Sequence, residues 1–112
     1  MLECELDNTE PRSVAYRIGY SPEAETHLRA LTAGQRSTVL DAVDERLAHE
    51  PAVETRNRKP MRPNPVAPWE LRIGTLRVYY DVQEEPEQVV KVRAVGIKYR
   101  NRLRIGDEVI EL

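Results

Sequence analysis

Between Trp69 and Tyr80 the chain reads Trp-Glu-Leu-Arg-Ile-Gly-Thr-Leu-Arg-Val-Tyr-Tyr, and this run fixes a β-hairpin together with its register. Apolar Trp69, Leu71 and Ile73 alternate with Glu70 and Arg72, and after Gly74-Thr75 the alternation resumes with Leu76, Val78 and Tyr80 against Arg77 and Tyr79. A period of two marks a half-buried strand. A two-residue loop with Gly in its first position fits a type II′ turn, which pairs Ile73 with Leu76, Arg72 with Arg77, Leu71 with Val78 and Glu70 with Tyr79. One face is then apolar, and the face turned away from the core presents Glu70, Arg72, Arg77 and Tyr79. Like charges directly opposed on a sheet cost up to about 1 kcal/mol. Arg72 beside Arg77 therefore points to an anion-binding surface, where a phosphate relieves the repulsion.

The hairpin sits late in a chain whose other elements are also marked. Tyr16 to Tyr20 alternates as a first strand. Ser21-Pro22 then opens a helix, with Ser as cap and Pro at the first position, and Ala24, Leu28 and Leu31 recur at helical spacing until about Thr32. Thr32 and Gln35 have the spacing of a capping box. The helix they begin runs to about His49 with Val39, Leu40, Val43 and Leu47 on one stripe, and Pro51 ends it. So short a link makes an antiparallel helical hairpin lying on one face of the sheet. Residues 54 to 68 form an extended basic connector, because four prolines in the nine residues from Pro60 to Pro68 exclude a helix and a central strand. Val89 to Ile97, rich in β-branched residues, reads as the central strand. A small final hairpin is expected around Gly106-Asp107. The fold class is α+β, a helical hairpin packed on a twisted, mainly antiparallel four-stranded sheet. Residues 15 to 112 make one domain behind a flexible acidic tail, residues 1 to 14.

A net charge of -2 conceals strong segregation. The first half is acidic, whereas Arg56, Arg58, Lys59, Arg62, Arg72 and Arg77 face only Glu54 and Glu70 between residues 54 and 80. Residues 91 to 104 hold six bases and no acid. Asymmetry of this kind suggests a polyanion-binding face, with Arg56, Arg58, Lys59, Arg62, Arg100 and Arg102 as its nucleic-acid contacts. No run approaches the roughly 18 apolar residues of a membrane span, and the first residues lack signal-peptide character, so a cytoplasmic location is expected. Cys4 has no partner for a disulfide, and His27 and His49 lie on different helices, so neither a metal site nor a cofactor is expected.

Phosphate loops, dinucleotide fingerprints and Ser-His-Asp signatures are absent from the sequence. What remains is a set of cations with a few proton-transfer candidates. Such a set can cleave RNA without metal, because the nucleophile is the substrate's own 2′-hydroxyl. The protein then needs only to move protons and to stabilise the developing phosphate charge. Arg72, Arg77, Lys98 and Arg100 are the cation candidates, and Glu70, Tyr79 and Tyr99 are the proton-transfer candidates.

In this order and at these spacings the elements resemble the RelE/ParE superfamily of toxins from bacterial toxin–antitoxin pairs, over about Tyr16 to Lys98. The similarity is carried by Tyr20-Ser21-Pro22-Glu23-Ala24, by Trp69 to Asp81, and by Val92-Arg93-Ala94-Val95-Gly96 followed by a basic residue. It implies a compact α+β toxin bound by a cognate antitoxin, expected to be small, acidic and DNA-binding. The RelE branch cleaves messenger RNA, often on the ribosome, and the ParE branch poisons DNA gyrase. By resemblance Arg77 falls at the arginine that contacts the scissile phosphate, Arg72 at a second basic position and Lys98 near a third. Two departures stand out: Glu70 replaces a base, and Arg100-Asn101-Arg102-Leu103-Arg104 replaces the segment that often carries a catalytic Tyr or His-Tyr pair. The expectation is a metal-free, ribosome-dependent endoribonuclease that arrests translation. Its catalytic set is Arg72, Arg77, Lys98 and Tyr99 or Glu70. The alternatives are a ParE-like gyrase inhibitor without nuclease activity and a non-toxic RelE-fold partner of an antitoxin.

Overall fold

In the computed structural model the described residues are 16–64, 66–100 and 102–105, with 108–110 described in backbone alone. The acidic segment 1–14 lies outside them. Nine elements follow in order: β1 (Arg17–Tyr20), α1 (Pro22–Arg29), α2 (Ala33–Arg46), β2 (Arg58–Pro60), β3 (Trp69–Ile73), β4 (Leu76–Gln83), β5 (Val89–Tyr99), β6 (Arg102–Ile105) and β7 (Glu108–Ile110). Both helices begin where their caps demand. Ser21 Oγ accepts from the Ala24 amide at 3.0 Å, and Thr32 and Gln35 close a capping box with two 3.1 Å bonds. They end earlier than the sequence periodicity suggests, at Arg29 and Arg46. Arg36 seals the C-terminus of α1 by donating to the Leu28 and Leu31 carbonyls. Arg58 does the same for α2, donating to Arg46 O at 2.6 Å and to Val53 O at 3.2 Å.

The strands form one sheet in the order β2-β3-β4-β5-β6-β7. β1 runs parallel to the first half of β5, pairing Ile18 with Val90. β6 runs antiparallel to its second half, pairing Gly96 with Ile105. These two short strands thus share one edge of β5, and β4 covers the other from Val89 to Ile97. The described residues contain seven strands, not four. The connector contributes β2 through pairs Arg58–Leu71, Lys59–Glu70 and Pro60–Trp69, an edge position that tolerates proline. Beyond β5 come β6 and β7, paired antiparallel with Ile105 beside Glu108; Gly106 and Asp107, where a turn was expected, lie outside the described residues.

The β3–β4 hairpin has the register expected from its loop: Ile73–Leu76, Arg72–Arg77, Leu71–Val78 and Glu70–Tyr79. Gly74 at φ +60 supplies the backbone conformation that the loop needs. Ala24, Leu28, Val39, Val43 and Leu47 of the helical layer pack on Leu71, Val78, Tyr80, Val92 and Val95 of the sheet. Each fully buried aliphatic side chain contributes about 1.5–3 kcal/mol relative to exposure. Tyr80 stacks on Trp69 and donates from its buried hydroxyl to Pro51 O at 2.7 Å.

The opposite face departs from the expected solvent-facing surface. Tyr79 is 1% exposed and Glu70 6%. A second, smaller core of Ala67, Tyr79, Ala94, Leu103 and Ile105, with Met61 and Val66 against it, covers part of this face. Two returns of the chain build it. The proline-rich segment folds back, with the Met61 amide donating to Pro68 O. Asn64 pins it internally, accepting from the Val66 and Ala67 amides and donating to Arg62 O and Ala67 O. From the other side β6 crosses back over Gly96, where a Cβ would stand 2.5 Å from Arg104 O.

Candidate functional site

The part of this face left uncovered is a groove of about 630 Å³, within the size range of small-ligand sites. Alternation along each strand decides what enters it. β2 contributes Lys59, β3 contributes Glu70 and Arg72, β4 contributes Tyr79, β5 contributes Lys98 and β6 contributes Leu103, while Pro60 to Asn64 form one wall. Phase in β5 is set by a bulge. Tyr79 pairs with Ala94 but Tyr80 pairs with Val92, so Arg93 is extra and the strand changes face there. Val92 and Val95 consequently both enter the helix-side core, and Ala94, Gly96 and Lys98 turn to the other side.

Four cations, Lys59, Arg62, Arg72 and Lys98, thus surround a single carboxylate, Glu70. Lys59 Nζ reaches Glu54 at 3.5 Å. Neither Lys98 nor Arg62 has an ion-pair partner among the described residues. Glu70 is the hub of the groove floor. Its Oε1 accepts from Arg72 Nε at 2.9 Å and its Oε2 accepts from the Tyr79 hydroxyl at 3.0 Å. Arg77 Nε stands 3.8 Å from that second oxygen and has no hydrogen-bond partner among the described residues. The like-charge contact between Arg72 and Arg77 is therefore bridged from within by a carboxylate. Burial, and then the charge and hydrogen bond of Glu70, push the Tyr79 phenol far above its ordinary value, against the opposing pull of Arg77 and Arg72. Tyr79 is accordingly a neutral donor at pH 7, unsuited to accept a proton.

The expected site residues divide. Arg72, Lys98, Glu70, Lys59 and Arg62 meet in the groove. Arg77 does not line it: only 14% of its side chain is exposed, and its guanidinium donates to Gly74 O at 2.6 Å and Leu76 O at 2.9 Å. Tyr99, next to Lys98 on β5, falls on the opposite face by alternation, 65% exposed, with the Arg100 guanidinium 5.4 Å from its ring centre. Arg56 and Arg58 line a separate depression beside the C-terminus of α2. Arg102 pairs with Tyr99 at the start of β6, also away from the groove. Sequence reasoning missed the walls, Met61, Asn64 and Leu103. The one available signal was Asn64 between two prolines, a residue type whose side chain closes turns on its own backbone.

Cations arrayed on one sheet face, with a helical hairpin on the other, make up a small α+β protein of RelE-like fold. The chain is similar to a chain in the crystal structure of the toxin–antitoxin complex RelBE2 from Mycobacterium tuberculosis, at 25% sequence identity and a TM-score of 0.66, over 76% of this chain and 93% of that one. The fold is that of the RelE-like toxins. No protein-family model and no curated protein sequence matches the chain. Among the described residues no helix is long and apolar enough to cross a membrane.

Proposed function

We propose that this RelE-like protein is the toxin of a toxin–antitoxin pair and that it cuts messenger RNA in the cytoplasm, on the ribosome, without a metal. The observation that carries this reading is the groove. Four cations converge on one concave space, and Arg72 and Lys98, which occupy basic positions of the RelE-type motifs, both line it. In the cleavage step the 2′-oxygen bonds to the adjacent phosphorus, the bond from phosphorus to the 5′-oxygen breaks, and the 2′-proton is lost while the leaving oxygen gains one. Arg72 and Lys98 offset the charge that builds on the phosphate oxygens. Lys98 also carries a proton to give to the leaving oxygen. Among the described residues the groove's one carboxylate, Glu70, is held by Arg72 and Tyr79, so none of its lining residues is an unengaged base. That shortage fits an enzyme whose site is completed by the ribosomal complex in which its substrate lies. The exposed cations and the similarity to one component of a toxin–antitoxin complex support a small acidic antitoxin as the partner that silences it.

The test is induction of the toxin alone, followed by sequencing of cellular RNA 5′ ends. New ends clustered in translated frames are expected, and Arg72→Ala or Lys98→Ala abolishes both the cuts and the growth arrest. Arrest without new ends refutes the nuclease and favours a ParE-like gyrase inhibitor. The engagement of Glu70 and the placement of Tyr99 on the other face are the observations on that side. Harmless overexpression in the absence of an antitoxin leaves the non-toxic RelE-fold partner.

A further inference from the structure

We infer that Glu70 is a positioning residue for Arg72, and that the chain Tyr79–Glu70–Arg72 presents the free end of the Arg72 guanidinium to a phosphodiester in the groove. The inference rests on the phosphate-binding reading of the groove given above. It assigns to Glu70 a task different from proton transfer.

The geometry is specific about which edge of Arg72 is used. Glu70 Oε1 takes Nε at 2.9 Å, and the two terminal nitrogens make no hydrogen bond among the described residues. A guanidinium has two edges that can grip an oxyanion, so fixing one through Nε leaves the other intact for a phosphate. Arg72 is also the less buried partner, its side chain 45% exposed against 7% for Glu70. A long exposed side chain held by nothing else would sample many rotamers and lose that freedom on binding. Tethering it to a buried carboxylate removes the loss in advance. Glu70 is itself fixed at its second oxygen by the Tyr79 hydroxyl, 3.0 Å away, and Tyr79 is locked in the second core.

A carboxylate beside a phosphate site also repels the ligand, so two effects oppose each other. Here Arg77, buried 3.8 Å from Glu70 Oε2 and turned out of the groove, supplies the compensating charge. Glu70 is thereby flanked by two guanidinia, Arg72 and Arg77, and the repulsion it exerts on a ligand is largely cancelled while the tether remains. The two effects predict opposite signs on removal of Glu70: loss of affinity if it positions Arg72, gain if its charge dominates.

The experiment uses the full chain and a labelled single-stranded RNA carrying 2′-O-methyl groups, which block the nucleophile and leave only binding. Fluorescence anisotropy at low salt is measured for the wild type, Arg72→Ala, Glu70→Ala and the double variant. Each single change is expected to weaken binding about tenfold, the usual scale of one charge-assisted contact. The double variant is expected to be no weaker than either single one, because Glu70 acts only through Arg72. Glu70→Gln, which keeps an acceptor for Arg72 Nε, is expected to recover most of the affinity. Unchanged or tighter binding by Glu70→Ala overturns the inference, as does a loss that adds in full to that of Arg72→Ala. Where Glu70→Ala does not fold, Tyr79→Phe makes the same test more gently, with about a threefold loss expected that vanishes in the Arg72→Ala background. Full binding by Arg72→Ala would instead overturn the phosphate-groove reading itself. A loss in Arg72→Ala and Lys98→Ala with none in Glu70→Ala or Tyr79→Phe overturns the positioning chain alone.

Discussion

Replacing Gly96 by alanine tests whether the second core and the groove depend on β6 lying tight against β5. A Cβ at this position would stand 2.5 Å from Arg104 O, 2.9 Å from Ile105 Cγ1 and 3.2 Å from Leu103 Cδ1. Nonbonded carbon contacts are comfortable near about 3.5 Å, so the carbonyl must retreat by nearly 1 Å. It is backbone and cannot rotate aside. Gly96 and Ile105 are register partners, so the whole of β6 shifts, and with it Leu103, a wall of the groove. Overpacking of this kind costs about 1–3 kcal/mol, and each weakened ladder bond adds about 0.5–1.5 kcal/mol. The gain from replacing Gly, up to about 1 kcal/mol through the unfolded chain, runs the other way and is smaller. A net loss of about 2–3 kcal/mol lowers the melting temperature of a domain this size by roughly 10 °C or more. Thermal unfolding followed by circular dichroism measures it. Gly19→Ala is the control, since nothing lies within 4 Å of a Cβ there. A Gly96→Ala melting temperature within about 2 °C of wild type would refute the close approach of β6 and the account of the groove wall built on it.

Arg77→Ala is expected to act on stability ahead of any contact with RNA, because it removes the bonds to Gly74 O and Leu76 O and strips Glu70 of its buried counter-charge; a loss of about 2–3 kcal/mol in urea unfolding is expected, and an unchanged midpoint contradicts the buried placement. Asn64→Ala releases the pin of the proline-rich wall while leaving the helix-side core intact. Faster proteolysis between residues 61 and 68, with little change in melting temperature, is the expected result, and resistance equal to wild type counts against that role. Alkali should unfold the protein early. Tyr79 and Tyr80 both have phenols raised above the ordinary 10.0, chiefly by burial. The folded state therefore keeps protons that the unfolded chain releases, so this stability is fully present below about pH 10 and falls as pH rises through and beyond that value. The slope is about 1.4 kcal/mol per pH unit for each tyrosine. Urea midpoints that stay level from about pH 9 to 11 would refute it.

The register of the β3–β4 hairpin, the two helix starts and the place of β5 inside the sheet were legible because each rests on local chemistry: a Gly-first loop, Ser21-Pro22, the Thr32–Gln35 box and a run of β-branched residues. Strand count was not. β2 exists only because Lys59 and its neighbours find an edge of β3 to pair with, which no periodicity in a proline-rich segment announces. Part of the groove was legible too, since Glu70 and Arg72 share a face by alternation once the hairpin is set, and Lys59 and Arg62 stand out by charge in the connector. Arg77 and Tyr99 stay out of the groove for different reasons. Alternation placed Arg77 on the correct face of the sheet, but the turn carbonyls of Gly74 and Leu76 capture its guanidinium, a local competition invisible in a polar–apolar pattern. Tyr99 adjoins Lys98 in sequence, and whether one or the other enters the groove depends on the bulge at Arg93, a shift in pairing that the alternation of β5 does not by itself locate.

That bulge also explains how an acid came to be tolerated among the groove's cations. By reversing the phase of β5 it sets small Ala94 opposite Tyr79 and the bare backbone of Gly96 opposite Arg77, and Tyr79 packs with Ala94, Leu103 and Ile105 in the second core. Tyr79 and Arg77 then approach Glu70 from the same side, one as donor and one as counter-charge, and the carboxylate is buried without being left alone. A lysine at position 70 would meet two guanidinia and a phenolic donor with nothing to accept from any of them. With Tyr79 and Arg77 in these places, an acceptor is the side chain that satisfies the floor, and the basic character of the groove passes to residues reaching it from the rim: Lys59 and Arg62 on the connector side, Lys98 on β5 and the outer edge of Arg72. The charge a polyanion meets is therefore set by the connector and the strand ends, and the buried floor serves to hold one of those charges still.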